Sequence, residues 1–180
     1  MKHPFRFELT KAIETILYLA EKLPVADFPH IFKTIYFADK AHLAEWGCFI
    51  CGDSYMAMKY GPVPSNIFNL LKAAKGDDAI LAILDNNIVA QVTSAFAVKK
   101  DYVVKAHKKV DLDWLSESER ECLDSAINQY GALSSDKLNQ SSHEEPWEKA
   151  DGNDCIDIAD IIATLPHADI LLEHVKNPHP

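Results

Sequence analysis

Asp39 and His42 are the first residues of this chain whose types and spacing could do chemistry. A carboxylate and an imidazole three positions apart share one face of a helix, where they can exchange a proton or hold a metal ion together. They sit on an otherwise apolar row of Phe28, Phe32, Ile35 and Trp46, spaced by fours and threes. Polar groups on such a row need partners, because an unpaired buried one costs about 1–3 kcal/mol. Two readings follow. In one, His143 or Glu144 completes a metal-dependent, hydrolytic or acid–base site with Asp39 and His42. In the other, which we favour, the pair belongs to a structural network that ties this helix to a small sheet and to the turn at His143.

The remaining candidates are weaker. His143-Glu144-Glu145 lacks the second His four positions on that a zinc protease helix needs, since position 147 is Trp. Cys48-Phe49-Ile50-Cys51 is a lone CxxC among four cysteines, without the second pair of a zinc ribbon. We read these as reduced structural thiols. There is no Gly-rich phosphate loop, no Ser nucleophile elbow and no dinucleotide fingerprint. No catalytic constellation is expected, nor a metal or cofactor.

A different signal lies in Gly52-Asp53-Ser54-Tyr55-Met56-Ala57-Met58-Lys59-Tyr60-Gly61-Pro62-Val63-Pro64. A Gly-Asp turn leads into alternating aromatic, apolar and polar residues, then into a corner that opens a helix. Gly61 can take backbone angles closed to other residues, and Pro62 and Pro64 fix φ and remove two donors. A strand with Tyr and Met in succession cannot bury both faces in a small sheet. One face, drawn from Tyr55, Met56, Met58, Lys59 and Tyr60, is therefore expected to meet a protein partner, Tyr as a rigid anchor and Met as an adaptable one. The alternative is that helices cover both faces.

These residues must be positioned by the elements around them. Leu9, Ile13, Ile16, Leu17 and Ala20 predict a helix over residues 7–22, and Leu23-Pro24 ends it. Asp27 is a helix N-cap with Pro29 in the first turn, and Gly47 is the stop. These two helices are expected to pair as a hairpin. A strand is predicted over 52–59 and a helix over 64–75. Alternation predicts two more strands, at 88–93 and 102–107, giving an antiparallel sheet of about three strands. Ser116 and Glu119 form a capping box for a helix that stops at Gly131. Shorter helices follow near Ser134 and from Pro146. Trp46, Trp114 and Trp147 are expected in the core or at its edge. Asp151-Gly152-Asn153-Asp154 marks a boundary, with two further apolar stripes beyond it and fraying over 177–180. The reading is one α+β domain, mostly helical, over 1–150, with a helical extension over 151–180 packed on it.

Composition bounds the function. The chain has 180 residues, 48% of them hydrophobic and 25% charged, and a formal net charge of −9. That charge disfavours non-specific nucleic-acid binding and suits a basic protein partner. No apolar run approaches the roughly 20 residues that cross a bilayer, and the N-terminal residues do not read as a signal peptide. A soluble, cytoplasmic protein with no membrane partner is expected.

Several of these motifs occur together in one family. Lys33 with Tyr36-Phe37-Ala38-Asp39 and His42-Leu43, then Gly52-Asp53 with Tyr55, Tyr60-Gly61-Pro62-Val63-Pro64, Tyr130-Gly131 and Ser142-His143-Glu144-Glu145-Pro146-Trp147 resemble the Panacea (SocA-like) antitoxin domain, over roughly residues 9–150. The resemblance implies a mostly helical domain with a small antiparallel sheet. It implies an antitoxin of a bacterial or phage toxin–antitoxin system that grips a cognate protein toxin and performs no chemistry. Some similar proteins are proteolytic adaptors, so a cytosolic protease is a further candidate partner, as is a second copy of the chain in a homodimer. Phage defence is the implied setting. No DNA-binding extension of the kind some relatives carry precedes the match, so direct operator binding is not expected. The structural residues implied are Asp39, His42, Gly52, Asp53, Gly61, Pro62, Pro64, His143, Glu144 and Pro146.

Overall fold

The computed structural model describes residues 3–177. Its centre is a helix, α2 (Phe28–Trp46), whose first three turns are buried on every side. The cause is compositional. Apolar residues there come in runs rather than in one stripe, and a helix apolar all round must be wrapped. Asp27 caps it, accepting from the His30 amide, and Gly47 ends it at φ 74°. Its most extensive neighbour is α6 (Glu117–Tyr130), which is opened by the Ser116/Glu119 capping box. The expected hairpin of the first two helices is thus replaced. α1 (Leu9–Lys22) packs mainly beside the later strands and the 3-10 turn Leu112–Trp114.

Two sheets form, each of two antiparallel strands, instead of one of three. β1 (Tyr55–Met58) and β2 (Gly61–Pro64) make a hairpin, with Tyr55 opposite Pro64 and Met58 opposite Gly61. β3 (Phe96–Val98) pairs with β4 (Val104–Ala106). The segment read as a strand over 88–93 is helix α5 (Asn86–Ala95). Ile88 and Val92 fit an alternating pattern, but with Ala95 they also share a helical face, and the core takes the helical face. Asp85 settles the choice locally by accepting from the Asn87 amide. The missing strand is Phe96–Val98, which follows directly.

Between the sheets run α3 (Ser65–Lys75) and the short α4 (Asp78–Leu81). After α6 come α7 (Ser135–Ser142), α8 (Glu145–Lys149, with Pro146 in its first turn), α9 (Ile158–Ala163) and α10 (Ala168–Lys176). Ile156, Ile158, Ile161, Ile162, Leu171 and Val175 join the same hydrophobic core as α1 and α2. Trp46 and Trp114 are not in that core: each is the last residue of its helical element, and they are 58% and 48% exposed. The fraying expected at 178–180 lies outside the described residues. Among the described residues no helix is long and apolar enough to cross a membrane.

Candidate interaction surface

The β1–β2 hairpin is held from inside by buried polar groups. Asp39, fully buried, accepts from the Ile50 amide at 2.7 Å and from the Tyr55 hydroxyl at 2.5 Å. Burial pushes its carboxyl up to about 7, against the pull of those two donors. Burial likewise raises the Tyr55 phenol, with the neighbouring Asp39 carboxylate second. Tyr55 is only 1% exposed, so its place as a partner-binding residue is corrected: it is an interior strut. Its ring stands edge-on to Tyr36 at 5.1 Å, in the core between α2 and β1.

Asp53 is the second buried carboxylate. It accepts from the amides of Ser54, Asn66 and Ile67 and from the Asn66 side chain, at 2.8–3.0 Å. Pro64 stands at the N-cap of α3 and has no side-chain hydrogen bond to offer. Asp53 therefore caps α3 from across the hairpin and satisfies donors that the helix cannot. Gly52, at φ 66°, lets this turn pass under the N-terminal segment, since a Cβ there would lie 2.1 Å from the Arg6 carbonyl oxygen.

The other motif residues take separate structural posts. His42 donates through Nδ1 to the Cys48 carbonyl at 2.9 Å, and its Nε2 meets Ser118 Oγ at 3.3 Å. Glu144 takes the Lys40 ammonium at 2.5 Å and the Tyr36 hydroxyl at 3.2 Å. The His143 ring stacks on Trp147 at 3.8 Å, and Trp147 Nε1 donates to the Met58 carbonyl at 2.8 Å. Asp39, His42 and His143 thus serve different partners. Among the described residues no group of three or more His, Cys, Asp or Glu side chains is placed to hold a metal ion. Cys48 and Cys51 are free thiols, and burial pushes both upward.

The outer side of the hairpin is different. Tyr60 is 62% exposed and Lys59 is exposed beside it, with its ammonium 5.2 Å from the Tyr60 ring centre. Met58 is half-buried. Met58, Tyr60 and Val63 form one wall of a groove of about 370 Å³. Phe28, Pro29 and Phe32 of α2 form the other, and Ser135 and Asn139 of α7 close its end. Lys33 lines it from below. The α2 wall and the α7 end were not legible as a site; the only hint was an aromatic pair flanking a proline in a first helical turn. Met56 is half-buried, and its backbone bridges Cys155. Residues 153–156 pair along β1, with Ile156 donating to the Tyr55 carbonyl at 2.7 Å and Ala57 to the Asp154 carbonyl at 2.8 Å. The β1 edge is therefore covered, and what remains uncovered is the groove face.

Lys33 is 2% exposed, and its ammonium donates to the Pro62 carbonyl at 3.0 Å. Burial alone lowers it to about 7. Gly61, at φ 101°, makes room for this contact: a Cβ there would fall 2.4 Å from Ser142 Oγ and 3.0 Å from the Lys33 ammonium. The Tyr-Gly-Pro-Val-Pro stretch is thus strand β2 packed over a buried lysine and α7, and the corner into α3 comes at its end.

The stretch that carries these posts, from α2 through the hairpin to the His143 turn, lies within a match to a known family. The family described as Antitoxin SocA-like, Panacea domain, matches residues 31–148. The chain belongs to this family. The matched Panacea region contains Asp39, Asp53, the hairpin and α7, and so most of the groove. The α1 helix and the segment that pairs with β1 lie outside it. No curated protein and no solved structure matches the chain.

Proposed function

We propose that this chain is an antitoxin that neutralises a cognate protein toxin by direct contact, seating a toxin segment in the groove between the β1–β2 hairpin, the start of α2 and α7. The observation that carries this is Tyr60, a large aromatic ring more than half exposed at the rim of an apolar groove on a Panacea domain. Such rings dominate protein interfaces because they carry large contact area at small conformational cost. Met58 beside it gives adaptable apolar contact. The net charge of −9 favours encounter with a basic toxin. Neutralisation in this reading needs complex formation and no chemistry. The test begins with a tagged chain expressed in its host and identification of the protein that co-purifies with it. With that partner purified, Tyr60→Ala is expected to weaken binding by about thirtyfold and to abolish rescue of growth, while the fold is unchanged. Full affinity and full rescue from folded Tyr60→Ala would refute the reading.

A further inference from the structure

Lys33 is the least expected group near the groove. An ammonium presents three donors, and here one carbonyl, that of Pro62, accepts from it. No carboxylate among the described residues pairs with it, and burial is the sole cause of its lowered pKa. The groups that face it come from two elements and a turn. Pro62 and Gly61 of β2 offer backbone, Ser142 of α7 offers a hydroxyl already donated to the Asn139 carbonyl, and the turn after α7 offers His143. His143 is close enough for the Lys33 charge to help hold it below its ordinary range, after burial. Its Nε2 is buried without a hydrogen-bond partner. Among the described residues that line the groove, Lys33 is thus a cation and none is an acid.

A buried cation without a counter-charge is costly, and an incoming carboxylate would relieve that cost. We propose that the groove reads an acidic side chain of the protein partner, an Asp or Glu flanked by an apolar residue, with Lys33 as its counter-charge. This rests on the groove being the partner site. It adds what the partner must carry. The acidic surface of the chain steers a basic partner at long range, and Lys33 selects one carboxylate at short range. The competing explanation is that Lys33 only braces the Pro62 carbonyl, in which case the partner's charge at that point is immaterial.

The test works without the toxin in hand. Random short peptides displayed on phage are selected on the immobilised full chain, and the enriched sequences are synthesised. Enriched peptides are expected to share an Asp or Glu next to Leu, Met or an aromatic residue. Replacing that acid by its amide is expected to weaken binding to the unmodified chain by about thirtyfold, the loss typical of removing one partner of a desolvated charge pair. Lys33→Met is expected to erase the difference between acid and amide peptides. Tyr60→Ala is expected to weaken both peptides alike. Binding that falls with Tyr60→Ala but does not distinguish acid from amide overturns carboxylate recognition and leaves the groove reading standing. Peptides indifferent to both Tyr60→Ala and Lys33→Met, or a selection that enriches nothing, overturn both. Because the acid-to-amide comparison is made on the unmodified chain, a Lys33→Met protein that fails to fold leaves the decisive measurement intact.

Discussion

Along β1, Tyr55 and Ala57 are buried while Met56 and Met58 are half-buried, and past the strand Lys59 and Tyr60 stand in solvent. The buried residues and the Gly-Asp turn before them are tied to the interior by Asp39 and Asp53. Of the outer ones, Met58 and Tyr60 line the groove. One short stretch is therefore an anchor on one side and a presented surface on the other. Asp39, Asp53, Gly61 and His143 do not line the groove.

The anchor is hit hardest at Asp53. Asp53→Ala strips four donors at a buried site and uncaps α3, and should cost about 3 kcal/mol or more in urea unfolding. A loss under about 1 kcal/mol would show that α3 does not depend on this carboxylate. Gly61→Val comes next, at about 2 kcal/mol or more, because φ 101° is closed to a β-branched residue. An unchanged melting temperature would mean that the hairpin can re-form around a side chain beside Lys33 and Ser142.

Tyr55→Phe should cost about 1–2 kcal/mol, since the Asp39 carboxyl loses a buried donor while the ring still packs. Asp39 also carries a pH signature. Its folded carboxyl is held near 7, above its ordinary 3.8, so the folded state binds the proton more tightly. Its contribution is fully present below about pH 4 and is lost as pH rises towards 7. Asp39→Asn keeps an acceptor for Ile50 and should flatten the change in unfolding free energy between those two values relative to the unmodified chain. Equal slopes would place the titration elsewhere. Lys33 runs the other way: its folded ammonium is depressed to about 7 from 10.5, so stability rises through that window. Lys33→Met should be more stable than the unmodified chain at neutral pH, and that advantage should shrink towards pH 10.5. The smallest effect on the fold belongs to the outer side. Tyr60→Ala should move stability by less than about 0.5 kcal/mol, as expected for an exposed residue without polar ties. A larger loss would make Tyr60 part of the anchor and erase the contrast.

Local signals in the chain sufficed for much of this. The Asp27 cap and Gly47 stop of α2, the Ser116/Glu119 capping box and Pro146 in the first turn of α8 depend on neighbours within a few positions, and all are present. The family and the mostly helical α+β class followed from residue types in fixed order. Contacts between distant segments decided the rest. Whether residues 86–95 alternate as a strand or turn as a helix is degenerate in the pattern Ile-Val-Ala-Gln-Val, and the core chose. Whether Tyr55 or Tyr60 faces outward depends on the strand's register against α2, which a one-residue slip would reverse. The β1 edge is closed by residues nearly a hundred positions later. The groove joins the start of α2, a hairpin and α7, none adjacent in the chain, and Lys33 became a buried cation only when β2 and α7 packed over it. Sequence specifies conformations whose energies are local; burial and register are set by the whole chain folding at once, and in this protein the proposed site is made of burial and register.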